Sequence, residues 1–268
     1  MSDLAEPKLT AAGRVLALLD AFTKAGSPLS LSEISRQADL TLTTTHRLVK
    51  EVVQWGGLEL DESGRYRLSS KILGLASTSQ AMGLRERALP HLMELHYRTG
   101  MSVHLTVRDK YEVMYVEALR AHPNYTGRNK IGGHFQLHVA ASGLVLLAHE
   151  SEDFLEEYLQ RPLKRYTEHT IADPGHLRST LEKIQQQGYF VAHQCVSPSA
   201  GGVAAPIVGL DGEVRAAVGL TYEVNQVTPT SLVDFVRVCA TRISRALKEK
   251  PQLDPRTVDF NRRHAGMS

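Results

Sequence analysis

The sequence predicts an α+β protein, and three groups of residues carry that prediction. Residues 29–67 hold two short amphipathic helical patterns joined by a polar turn and followed by a hairpin signal. Residues 102–118 and 202–222 alternate like paired strands, and residues 153–159, 177–187 and 231–248 repeat apolar side chains at helical spacing. Hairpin-linked strands interspersed with helices predict a second domain with a mostly antiparallel sheet.

Taken in order, Arg14 to Phe22 places apolar residues at helical spacing, and Gly26-Ser27-Pro28 ends that helix. Ser32 is a candidate N-cap for a helix from Glu33 to Ala38, whose inner face carries Ile34 and Ala38. Asp39-Leu40-Thr41 breaks the pattern. A second helix from Leu42 then turns Leu48, Val49, Val52 and Val53 inward and Thr43, Thr44, His46, Arg47 and Lys50 outward. Leu58-Glu59-Leu60 and Arg65-Tyr66-Arg67-Leu68 alternate around Asp61-Glu62-Ser63-Gly64, a hairpin turn by its Asp and Gly.

That is the outline of a winged helix-turn-helix, in which the second helix enters the major groove. Thr43, Thr44, Thr45, His46, Arg47 and Lys50 are its candidate DNA contacts. Hydroxyls can bond phosphates or base edges, threonine methyls meet thymine methyls, and arginine addresses guanine or phosphate. Arg65 and Arg67 of the wing can meet the phosphate backbone. A merely solvated helix would show the same polar face. The preceding helix, short turn and following hairpin favour the DNA reading.

Beyond the wing, residues 70–87 read as a linker helix with Ile72, Leu73, Leu75 and Ala76 available for packing, weakened by Gly74 and Gly83. A further helix over 88–99 packs through Leu89, Leu92, Met93 and Leu95, and Leu144 to His149 is a short apolar helix. Strands at 102–107 and 113–118 follow, and strands at 202–208 and 214–222 flank the turn Leu210-Asp211-Gly212-Glu213. The expected divisions are a flexible 1–8, a DNA-binding domain over 9–69, the linker over 70–87, a sensor domain over 88–250 and a flexible 251–268. Arg262, Arg263 and His264 of that tail could touch DNA or a partner, although a frayed terminus is the simpler expectation.

With 268 residues and 42% hydrophobic content, two cores are affordable by length. Thirty-one Lys and Arg oppose 29 Asp and Glu, so any attraction to nucleic acid must arise from local placement. Cys195 and Cys239 stand far apart without a metal-ligand pattern, which argues against a disulfide scaffold or structural zinc and fits a cytoplasmic protein. The N-terminal residues lack a signal-peptide pattern, and Gly143 to Ala148 is too short to span a bilayer, so no membrane partner is expected. His134 and His138 have helix-compatible ligand spacing, yet Gly132-Gly133 precedes them and no HExxH occurs, so no metal site is expected. His193-Gln194-Cys195 suggests an activated thiol, but a useful nucleophile also needs an oriented base and an oxyanion site, which adjacency alone does not show, and no catalytic residue is expected; Cys195 reads as packing or pocket wall, with redox sensing the lesser alternative. No Walker loop or dinucleotide fingerprint occurs, so no cofactor is expected.

GRVLALLDAF, LSLSEISRQADLTLTTTHRL and RYRLSSKILGLA, in that order, resemble the isocitrate lyase regulator (IclR) family of bacterial transcription factors. The resemblance continues through Leu137-His138-Val139-Ala140-Ala141-Ser142-Gly143-Leu144, Gly188-Tyr189 and Gly202-Val203-Ala204-Ala205-Pro206-Ile207, covering about residues 9 to 248. It implies a linker joining the winged helix to an effector-binding domain similar in outline to GAF and PAS-type sensors. The implied partners are double-stranded operator DNA, a small organic effector of carboxylate type, and further copies of the chain in a homodimer or tetramer.

The resemblance puts effector contacts at Ala141 and Ser142, where unpaired first-turn amides can hold a carboxylate, and at Ala192, Gly202, Gly219 and Thr221. His104, Tyr115 and Tyr222 are candidate walls. Many family members carry an acidic run after the Gly-Tyr pair, whereas this chain has Val191-Ala192-His193-Gln194-Cys195. The small residues leave volume that favours an aromatic or longer-chain acid over glyoxylate or pyruvate. Two other readings compete: a small-molecule enzyme with an accessory winged helix, which would form product, and a winged helix serving only protein contacts, which would show no salt-sensitive DNA binding.

Overall fold

Leu48, Val49 and Val52 of one helix close on Leu18, Ala21 and Phe22 of another and on Ile34 of a third, forming the buried core of the N-terminal unit. The computed structural model describes residues 9–25, 27–121 and 130–249, and the chain divides into two compact units, residues 1–82 and 83–268. The expectations for residues 1–8 and for the tail from Pro251, with Arg262, Arg263 and His264, lie outside the described residues.

The first unit contains α1 (Ala11–Ala25), α2 (Leu31–Gln37), α3 (Leu42–Trp55), the hairpin β1 (Leu58–Leu60) and β2 (Tyr66–Leu68), and α4 (Ser70–Ala76). The cap of α2 is Ser30, not Ser32, because Ser30 stands three residues before Glu33 and the two satisfy each other: the Ser30 hydroxyl accepts from the Glu33 amide, and the Ser30 amide donates to Glu33 Oε2 at 2.8 Å. In α3 the buried stripe is Thr45, Leu48, Val49 and Val52, so Val53, expected inside, is 37% exposed. Leu29 also bridges Tyr66, adding a short third rung to the wing.

The expected continuous linker helix over 70–87 is broken. Ser77 and Thr78 turn their hydroxyls back onto the carbonyls of Gly74 and Leu75, both at 2.8 Å, a local alternative to continued helix. A separate helix α5 (Gln80–Thr99) then absorbs both the end of that linker and the helix expected over 88–99.

The second unit is built on one antiparallel six-stranded sheet in the order β5-β4-β3-β8-β7-β6. Its strands are β3 (Ser102–Asp109), β4 (Glu112–Leu119), β5 (His134–Gln136), β6 (Phe190–Ser197), β7 (Ala200–Val208) and β8 (Val214–Glu223). The two edge strands, β5 and β6, were not expected from sequence. Burial is nearly continuous along β3 and β8, so both sheet faces are covered. Tyr115, Ala192, Ala204 and Ala217 on one face pack with α6 (Ala141–Leu147), α7 (Glu152–Leu159) and α8 (Pro174–Gln187). Helix α9 (Thr230–Lys248) packs on β7 and β8, burying Leu232, Val233, Val236, Cys239, Ala240 and Ile243.

Candidate DNA-reading face and effector pocket

Thr41 caps α3, its hydroxyl oxygen accepting from the Thr44 amide at 3.3 Å and its O–H donating to Thr44 Oγ1 at 2.9 Å. Thr43, His46, Arg47 and Lys50 are exposed on the first turns, and Thr44 is half-buried. Among the described residues Arg47 meets only the exposed Glu51 at 3.5 Å, one turn on, a pair weak enough in water to yield to a phosphate. Thr45 is a correction: it is fully buried, and its hydroxyl donates to the Thr41 carbonyl at 3.0 Å, so it holds the helix and does not face solvent.

The wing arginines also differ from one another. Arg65 Nε donates to the Pro28 carbonyl at 3.0 Å and its Nη2 to Glu33 Oε2 at 2.6 Å, so this side chain ties wing to α2 and is not the free phosphate contact expected. Ser30 first, through amide and hydroxyl, and then the Arg65 guanidinium hold the Glu33 carboxyl below its ordinary value. Arg67 lies exposed at 2.9 Å from Glu59 of the paired strand. Beyond the reading helix, Gly56 ends α3 at φ +86°, and Lys71 donates to the Trp55 carbonyl at 2.6 Å while its ammonium lies 4.5 Å from the indole centroid.

In the second unit, six of the eight predicted effector residues line one cavity of about 80 Å³: His104, Tyr115, Ala141, Ala192, Gly202 and Thr221. Gly219 lies against His104, and Ser142 follows Ala141 with a buried hydroxyl that has no hydrogen-bond partner among the described residues. Sequence reasoning did not single out Val139, Ala140, Val196, Ser197, Ala200, Gly201 and Leu220 as walls. Cys195 lines the cavity, its thiol pushed up by burial and held at 3.4 Å from the His169 carbonyl, so it is a neutral wall group. Tyr222, expected as a wall, instead stacks under Gly201, where a side chain would strike its ring.

Local packing explains the cavity. The helix expected from Leu144 begins at Ala141, and its Gly143 lets it press onto Leu137, whose carbonyl would lie 2.3 Å from a Cβ there. The Leu137–Val139 approach is fixed by His138, fully buried. Its Nε2 must donate to the Lys164 carbonyl at 3.1 Å, so Nδ1 accepts from the Tyr158 hydroxyl at 2.8 Å, and no ring nitrogen remains for a metal. His134, the other member of that spacing pair, meets Asp109 at 3.0 Å. No group of three His, Cys, Asp or Glu able to hold a metal occurs among the described residues, and no described helix is long and apolar enough to cross a membrane.

Two other hollows are larger, about 170 Å³ between α5 and α9 and about 350 Å³ by the β3–β4 turn. Exposed charges such as Arg98 and Asp234 line the first, and Asp109, Lys110 and Arg161 the second, whereas the described walls of the cavity under α6 include no Lys, Arg, Asp or Glu.

Comparison with known proteins agrees with this division. The IclR helix-turn-helix domain profile matches residues 11–62, and the profile described as bacterial transcriptional regulator IclR C-terminal matches residues 76–245. The transcriptional regulator XynR of Escherichia coli is 28% identical over 247 residues, covering 90% of this chain and 98% of its own. The glycerol operon regulatory protein of Streptomyces coelicolor is 30% identical, covering 87% and 94%. A crystal structure of an IclR homolog complexed with 4-hydroxybenzoate, from Microbacterium hydrocarbonoxydans, superposes with a TM-score of 0.83 at 32% identity, covering 89% of this chain and 99% of that one. A helix-turn-helix with a small wing and a six-stranded antiparallel sensor domain, matched in order by both family profiles, make this chain a member of the IclR family of DNA-binding transcriptional regulators with an effector-binding domain.

Proposed function

We propose that the chain binds operator DNA sequence-specifically through the exposed face of α3, as a homodimer or a dimer of dimers, and that a small organic carboxylate, aromatic in its favoured form, modulates that binding from the cavity under α6. The observation that carries the effector reading is the cavity itself, which gathers His104, Tyr115, Ala141, Ala192, Gly202 and Thr221 from six separate elements around a mostly apolar wall. A family member 32% identical is complexed with 4-hydroxybenzoate, which supports an aromatic acid as the occupant.

A ligand changes DNA affinity only by binding two conformations unequally. Strand β4 offers the route, since Tyr115 lines the cavity while Glu117 on the same strand grips Arg85 of α5 at 2.6 Å. The test is operator selection from random duplexes, followed by titration of the selected DNA with and without a panel of aromatic and aliphatic acids. One enriched sequence whose affinity shifts with at least one acid is expected. Salt-sensitive binding with no sequence preference, or no response to any acid, would overturn the reading.

A further inference from the structure

The cavity that should receive an acid contains no Lys or Arg among its described walls. Its one basic group is His104 on β3, only 6% exposed, and no hydrogen bond to its ring occurs among the described residues. Desolvation alone holds the imidazole down to about 4, so it is neutral at pH 7. A bare carboxylate entering such a site would lose its hydration without gaining a countercharge, which is strongly unfavourable.

The first-turn amides of α6 can donate to a carboxylate but bring no full charge, and the described surroundings of His104 supply no other cation. From β4 it faces Tyr115, ring centroids 5.2 Å apart, and from β6 the neutral thiol of Cys195. From β8 come Gly219 and Thr221, from β7 Gly202, and from the stretch entering α6 Val139, Ala140 and Ala141, none of them ionisable. The carboxylate of Glu117 lies on the other sheet face, because Glu117 opposes Leu105 in the ladder, and it is already held by Arg85 and the Ala118 amide.

Resting on the reading that the effector is an acid, we propose that the carboxylate enters this pocket together with one proton, which is taken from solvent onto the free ring nitrogen of His104 to form an imidazolium–carboxylate pair. The balance is simple: an anion and a proton enter, one N–H bond forms, and the cavity gains no net charge. Opposite charge at hydrogen-bond distance favours the imidazolium and so raises in the complex what burial lowers in the free protein. Binding therefore tightens as pH falls from neutrality, by up to about tenfold per pH unit, until the free protein itself protonates near 4.

Calorimetry on the full chain tests this with benzoate, 4-hydroxybenzoate, phenylacetate and pyruvate as probes, between about pH 5 and 8, in buffers of different ionisation enthalpy. Uptake approaching one proton per bound acid is expected for the wild type. His104→Gln should bind more weakly, with affinity flat in pH and uptake near zero, whereas His176→Gln, at an exposed position of α8 outside the cavity, should keep the uptake. The methyl ester of a binding acid should bind without a proton. Binding that is independent of pH and buffer would overturn the proposal, as would uptake undiminished in His104→Gln, which would place the proton on the acid or elsewhere. The wild-type buffer dependence decides even if the variant fails to fold. Absence of binding by every acid at every pH would instead remove the carboxylate reading, and this inference with it.

Discussion

Gly219 faces His104 directly across the β8–β3 ladder, and a Cβ on residue 219 would lie 2.8 Å from His104 Nε2. The missing side chain is the space in which the imidazole stands. Gly219→Ala should push the ring off its rotamer or towards the cavity. We expect a loss of about 1–3 kcal/mol in stability, as for overpacked cores, together with loss of acid binding. Urea denaturation and calorimetry measure the two; unchanged values would place the ring elsewhere.

Acid should destabilise the sensor unit through the same residue. Burial lowers the folded imidazole to about 4 against an ordinary value of 6.5. Above the ordinary value neither state holds the proton, and stability is unaffected. As pH falls from 6.5 to 4 the unfolded chain protonates first, so stability declines, levelling off below 4 with about 3 kcal/mol lost. Comparing urea midpoints of wild type and His104→Asn across this window isolates the effect from the carboxylates, such as Glu33 and Asp61, whose lowered values also erode stability in acid. Parallel curves for the two proteins would contradict it.

The reading helix separates two threonines that sequence alone groups together. Thr45→Val should cost on the order of 1 kcal/mol by removing the bond to Thr41, while leaving operator choice intact. Thr43→Ala should leave the melting temperature unchanged and weaken or broaden operator selection, since Thr43 is exposed. Differential scanning fluorimetry paired with anisotropy on the selected operator distinguishes the two, and a reversed pattern would exclude this orientation of α3.

Arg47→Ala should weaken operator binding by about 1–3 kcal/mol and, where the contact is to phosphate, lower the salt slope by about 1. Arg65→Ala should act otherwise. Because Arg65 already holds Glu33 and the Pro28 carbonyl, its loss should loosen the wing and lower thermal stability, with the salt slope kept. Equal slopes for both variants would show that the two arginines do the same work.

These contrasts mark where the sequence was legible. Periodicity located α3, the wing and the central strands because each buries one stripe or alternates across a sheet. The burial of Thr45 was readable too, since 45, 48, 49 and 52 form one helical stripe, but the run of three threonines concealed it. Ser30 and Glu33 have capping-box spacing, yet Ser32 lay closer to the apolar pattern. Strands β5 and β6 carry too few alternating residues to stand out. The pairing of Arg65 with Glu33, and the seating of Val139, Cys195 and Gly201 around one cavity, join residues far apart in sequence; only the fold brings them together.

The route from sensor to linker yields the last prediction. In β4 the register shifts by one residue between Tyr115 and Glu117, so Tyr115 faces the cavity with Thr106 while Glu117 faces the opposite side with Leu105. The extra residue thus gives one strand a contact with the cavity and another with Arg85 at the start of α5. The Glu117 side chain is 5% exposed and that of Arg85 29%. Glu117→Ala should therefore cost about 2 kcal/mol, less than a fully buried pair because Arg85 keeps part of its water. Glu117→Gln retains the shape and an acceptor, so it should fold and bind acid within about twofold of wild type, a change below 0.5 kcal/mol. What it should lose is the effector-dependent shift in operator affinity, because the strand and helix then move without the ion pair between them. Operator titrations with and without a bound acid measure that shift directly. A Glu117→Gln protein with full coupling would exclude the Arg85–Glu117 pair as the connection.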